Sequence, residues 1–204
     1  MKTASPVYYI NSKNYHASQE LGCRLSSLMR PLSGIKEPPV ILCIGTDRVT
    51  GDSLGPFVGT FLAAYTTSRD LPVYGTLNAP VHALNLSDAC RQIKKRHPRS
   101  PIVAVDASLG TKKHLGYITL GRGSLKPGAG VQKNLTAIGD IFITGIINTA
   151  VPEAQTALQN TRISAVASLA CCIAHGILYA CSPAQLVAAS ADGLSSAREE
   201  LPIV

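Results

Sequence analysis

The stretch VILCIGTDRVTGDSLGP, residues 40–56, decides the fold. Its opening VILCIG is an unbroken apolar, β-rich run, the composition of a parallel strand covered on both faces. A long loop with Gly45, Gly51 and Gly55 follows, and FVGTFLAAY (57–65) then takes up helical spacing, so the unit reads strand, long loop, helix. The three glycines suit backbone conformations that a Cβ would hinder. The loop has neither GxGxxG nor the lysine of a P-loop, and its acids would repel phosphate.

Outward from this unit the pattern repeats. VYGTL (73–77) reads as a short strand, and SDACRQIKKRH (87–97) as a helix with Ser87 as N-cap and basic residues at its carboxyl end. PIVAVDASLG (101–110) is the clearest strand-to-loop passage. LGYITLG (115–121) and IFITGII (141–147) read as two more strands, separated by the Gly- and Pro-bearing loop RGSLKPGAGVQKN (122–134). Residues 152–181 read as one helix lying on the sheet, begun by Pro152 and Glu153, with its Ser and Cys positions serving close packing. A short helix is expected at 183–191. Residues 1–38, polar and closed by Pro31 and Pro38-Pro39, read as an N-terminal arm with one short helix near 18–29. The expected organisation is an arm (1–38), one α/β domain (39–191) and a tail (192–204), with three αβα layers around a mostly parallel sheet.

Composition narrows the classes. A chain of 204 residues fits one main domain, and 46% apolar with 15% charged residues is too hydrophobic for a disordered chain. No stretch approaches about 20 unbroken apolar residues, and the polar start MKTASPVYYINSKNYH lacks a signal-peptide block, so a soluble cytoplasmic protein without membrane contact is expected. The net charge of +7 favours acidic partners, whereas three Phe, no Trp and no dense basic run argue against dedicated nucleic-acid binding. The six cysteines form no CxxC pair and read as buried reduced thiols. The histidines show no metal-ligand spacing, so neither a metal nor a cofactor is expected.

Right-handed crossovers place the loops after the first and third strands at one carboxyl-terminal sheet edge, where such folds bind ligands. That edge gathers Asp47, Asp52 and Asp106, three of only twelve carboxylates. Two carboxylates held close can divide roles, the ionised one taking a proton from water and the protonated one donating to a carbonyl or leaving group. The plainer reading of each is a loop or helix cap, and Asp52 is placed to cap the helix that follows it. Ser53 and Ser108 lack a GxSxG elbow and read as loop hydrogen-bonding groups. His82, in a loop at the same edge, is a candidate to orient or protonate substrate. The loop with Lys126 and Lys133 would hold an acidic group or simply cross the surface.

The strings GTDRVTGDSLGP, VDASLG, KPGAGV and IGDIFITGIIN, in that order over residues 40–150, resemble the germination proteases of spore-forming bacteria. The resemblance implies a phosphorylase/hydrolase-like scaffold of germination-protease type. It also implies an aspartic-type endopeptidase degrading small acid-soluble spore proteins, with Asp52 and Asp106 as essential acids and Asp47 as a secondary candidate. Backbone amides around Gly128 and Gly130 would support the oxyanion. Two departures are that Gly51 stands where the family has proline and Lys126 where it has histidine. The chain is also shorter, without an evident propeptide. It thus looks closer to a short, sporulation-associated relative, acting on a small spore protein or peptide in the forespore or mother cell, with homo-oligomerisation suggested. The scaffold is also similar to hydrogenase maturation endopeptidases, whose metal contacts match Asp52 and Asp106 but whose third contact, a histidine, has no match. The rivals are therefore a non-proteolytic binding or regulatory protein and a metal-dependent maturation peptidase.

Overall fold

The apolar runs become strands and the segments with helical spacing become helices in a computed structural model that describes residues 6–32, 37–67, 70–127, 137–150 and 152–181. The strands are β1 (Val7–Asn11), β2 (Val40–Cys43), β3 (Val73–Tyr74), β4 (Ile102–Gly110), β5 (Tyr117–Arg122) and β6 (Ile141–Thr149). The helices are α1 (Ala17–Met29), α2 (Leu54–Tyr65), α3 (Leu86–Arg96), α4 (Ala154–Gln159) and α5 (Ile163–Cys181). The sheet order is β1-β5-β6-β4-β2-β3. β3, β2, β4 and β6 run parallel, whereas β5 is antiparallel to both β6 and β1. This is the expected α/β fold with a mostly parallel sheet.

Two cores flank the sheet because side chains alternate along each strand. Val103 and Val105 of β4, with Ile41, Ile118, Leu120 and Ile143 from neighbouring strands, join the large core beneath α1, α2 and α5. Ile102 and Ala104, with Val40 and Leu42, join a smaller core closed by Leu86 and Ile93 of α3. Three layers result. By length and composition α5 is apolar enough to cross a membrane, with mean hydropathy 1.8, although Ser164, Ser168 and His175 interrupt its apolar run. In the fold, its Val166, Ala170, Ile173 and Ile177 are buried in the large core, where α5 packs against α1 and α2.

Four local readings need correction. The thiols are not all buried: Cys23 and Cys171 are exposed on the solvent sides of α1 and α5, and Ser164 and Ser168 are exposed on α5 with Cys171 instead of packing. Residues 7–29 are built into the domain: β1 pairs with β5, and Ile10, Leu21 and Leu25 sit in the large core. A five-residue edge strand exposing Val7 and Tyr9 carries too short an alternation to stand out in the sequence. The long helix of 152–181 is instead two, α4 and α5. The side-chain Nδ2 of Asn148 and the Thr161 hydroxyl both donate to the Ala157 carbonyl at 2.8 Å, holding the chain where α4 ends. α3 begins at Leu86 with Asn85, not Ser87, at its N-cap position. The short helix expected at 183–191 lies outside the described residues.

Candidate active site

The carboxyl end of β2 shapes the first loop. The Ile44 amide donates to the Val105 carbonyl at 2.7 Å and the Gly45 amide to the Val81 carbonyl at 2.8 Å, tying the loop root to β4 and to the segment before α3. Gly45 has φ +143°, and a Cβ there would collide with the Asp52 carbonyl oxygen. A Cβ on Gly55 would collide with the Ile44 carbonyl. Only glycine at both positions lets the loop fold back across the strand end. The Thr46 amide then donates to the Asp52 carbonyl at 3.0 Å, and the Asp52 amide to the Val49 carbonyl at 2.9 Å. Asp52 thus sits in a 3-10 turn, Thr50–Ser53, ahead of α2, and is not the cap expected for that helix: the turn carries the chain one residue further, so that Ser53 holds the N-cap position. Ser53 Oγ donates to the Thr50 carbonyl at 2.6 Å, the loop role expected of it.

Asp106 is delivered by β4, opposite Thr144 of β6, and is only 6% exposed. The Ala107 amide donates to its Oδ1 at 2.8 Å. Alternation puts Asp106 and Ser108 on the sheet face of Ile102 and Ala104. There the Ser108 hydroxyl meets Thr144 Oγ1 at 3.1 Å, and Thr144 Oγ1 meets Thr119 Oγ1 at 2.6 Å. This polar row replaces apolar packing where the strands reach the site.

His82 follows Val81, which bridges to Ile44. Its backbone amide donates to Asn85 Oδ1 at 2.8 Å, and Asn85 Nδ2 donates to the Pro80 carbonyl at 3.0 Å. Asn85 therefore spends its side chain on the His82 turn and makes no cap bond to α3.

Asp52, Asp106 and His82 line one cavity of about 330 Å³, together with Arg48 of the first loop and Gln155 and Leu158 of α4. Asp47, a residue away from Arg48, is exposed and does not line it; Thr46 Oγ1 approaches its Oδ1 at 3.5 Å. Lys126 is exposed and outside the cavity wall, although the next residue, Pro127, belongs to it. Gly128, Gly130 and Lys133 lie outside the described residues. Arg48 and Gln155 escaped the sequence reading. Arg48 stood in the same loop as the acids, whereas Gln155 reaches the site only because α4 breaks from α5 and rests against Gly51 through Leu158. Among the described residues no three His, Cys, Asp or Glu side chains are grouped to hold a metal ion.

A solved structure of similar fold is the [NiFe] hydrogenase maturation protease HycI from Thermococcus kodakarensis KOD1. It is 17% identical, with a TM-score of 0.46 over 76% of this chain and 98% of that one. In sequence, the chain is 44% identical over 169 residues to YyaC of Bacillus subtilis (strain 168), described as an uncharacterized protein, covering 83% of this chain and 81% of that protein. The model of one family matches residues 9–176, from within β1 into α5, and so takes in β2 to β6, the last three residues of β1 and every described wall of the cavity. On that match the chain belongs to the family described as Protein of unknown function (DUF1256).

Proposed function

We propose that the protein is an aspartic-type endopeptidase of the germination-protease kind, in which Asp52 and Asp106 together activate water against a peptide bond. The observation that carries this reading is that two carboxylates from different elements, a 3-10 turn and a strand end, line the same cavity. The motif resemblance over residues 40–150 supports it, because both acids fall in its matching strings.

One carboxylate, ionised, takes a proton from the water that attacks the carbonyl carbon. The other, protonated, donates to the carbonyl oxygen, and the departing nitrogen leaves as an amine after taking up a proton. Burial of Asp106 keeps bulk water from competing for this exchange. Arg48, at the rim, is a fixed positive charge suited to an acidic side chain or a chain terminus of the substrate. The proposed substrate is a small protein or peptide made during sporulation or germination, met in the forespore or mother-cell cytoplasm.

Incubating the purified protein with small acid-soluble spore proteins and reading intact mass over time tests this. Defined fragments are expected, and their absence with Asp52→Asn or Asp106→Asn. Intact substrate with the parent protein, or unchanged fragments with either variant, contradicts it.

A further inference from the structure

Beside the cavity of the two aspartates lies a second, open cavity of about 580 Å³, between edge strand β3 with the loop after it and the first turns of α3. Thr76, Asn85, Asp88 and Gln92 give it a polar wall. Among the described residues His82 alone lines both. A polypeptide lying in the second cavity and reaching the aspartates would therefore pass His82.

One ring nitrogen is engaged. The Leu84 amide donates to His82 Nδ1 at 3.3 Å, an acceptor role that leaves the proton of a neutral ring for Nε2. Around it the turn is locked. Asn85 Oδ1 takes the His82 amide, Asn85 Nδ2 holds the Pro80 carbonyl, and the His82 carbonyl accepts the Leu86 amide at 2.9 Å as α3 begins. The protonated carboxylate offers the substrate's carbonyl oxygen one donor, and the second lone pair of that oxygen is left for another. An N–H fixed at the entry supplies a donor that needs no proton transfer.

We propose that His82 Nε2–H holds the carbonyl oxygen of the scissile peptide as the chain enters from the second cavity, with Asn85 as the positioning residue that fixes the His82 turn and, through it, the ring. The hydrogen bond strengthens as negative charge grows on that oxygen, and His82 keeps its proton throughout. The assignment rests on the peptidase reading of Asp52 and Asp106.

Two measurements test it. With a synthetic library of unstructured peptides, His82→Leu is expected to lower kcat about 100-fold with KM little changed. His82→Gln, which keeps an N–H donor, should recover part of that loss. Separately, ¹⁵N imidazole spectra of the protein without substrate should show neutral His82 as the Nε2–H tautomer. Asn85→Ala should turn it into a tautomer mixture, and Asn85→Asp, which still accepts the His82 amide, should restore part of the preference. A parent protein that cleaves nothing overturns the peptidase reading and this inference with it. Cleavage by the parent that survives His82→Leu, or an Nδ1–H tautomer, overturns the role of His82 and leaves the aspartates standing.

Discussion

The two faces of the sheet are made by the same strands and serve different ends. On one face Val103 and Val105 of β4 sit with Ile143 and Leu120 in an apolar core under α1, α2 and α5. On the other, the same strand begins apolar with Ile102 and Ala104 and turns polar at Asp106 and Ser108, just where α3 no longer covers it. A strand of period two can thus hold a stability face and a chemical face at once, because neighbouring residues never share a side. Damage should register accordingly: substitutions in the apolar core of the first face should cost folding, and substitution of Asp106 on the second should cost turnover.

The sharpest separation is expected from Asp106→Asn, an isosteric change on the chemical face. It should lower peptide cleavage by about 10³-fold or more while leaving the melting temperature nearly unchanged, as compared by mass spectrometry and calorimetry. Ile143→Ala is the mirror test. It empties a fully buried site in the large core, and unfolding should become easier by about 2–5 kcal/mol, with turnover per folded molecule kept. Equal loss of activity and stability in both variants would erase the distinction between the faces.

Gly55→Ala probes the hinge between them. Its Cβ meets the Ile44 carbonyl, so the loop that carries Asp52 must shift. A displacement of about 1 Å is enough to lower turnover roughly 100-fold, and the fall in kcat should exceed what any loss of folded protein explains. Thr144→Val removes the hydroxyl shared by Ser108 and Thr119 on the polar row, and denaturant titration should show about 1–2 kcal/mol lost. The smallest effect concerns thiols. Burial pushes the Cys43 thiol far up in the large core, whereas Cys23 and Cys171 are exposed. An alkylating reagent at neutral pH should label Cys23 and Cys171 in the native protein, spare Cys43, and leave cleavage intact.

How legible these faces are in the sequence depends on which forces form each element. β2 and β4 are central, parallel and covered on both sides, so VILCIG and PIVAVD declare themselves by unbroken apolarity, and the loops at their ends follow from chain handedness. Edge strand β1 has no such signature. The break between α4 and α5 depends on Asn148 and Thr161 meeting Ala157 across a turn, a tertiary event invisible to helical periodicity. The cap of α3 is hidden for a similar reason: the sequence offers Ser87, whereas the helix begins at Leu86 and Asn85, at its N-cap position, spends its side chain on the His82 turn. In the site, Asp52, Asp106 and His82 were readable as residues of converging loops, but composition could not separate Asp52 from Asp47. That choice is made by Gly45 and Gly55, which fold the loop so that one acid lines the cavity and the other stays in solvent.

The central claim is that Asp52 and Asp106 act as one unit. A double-mutant cycle on the rate of peptide cleavage, with the parent, Asp52→Asn, Asp106→Asn and the doubly substituted protein, tests it most directly. Each single substitution is predicted to lower the rate by about 10³-fold or more, and the second to lower it little further, because a divided proton needs both carboxylates. Losses that simply multiply, or a single variant that cleaves at the parent rate, would contradict the account.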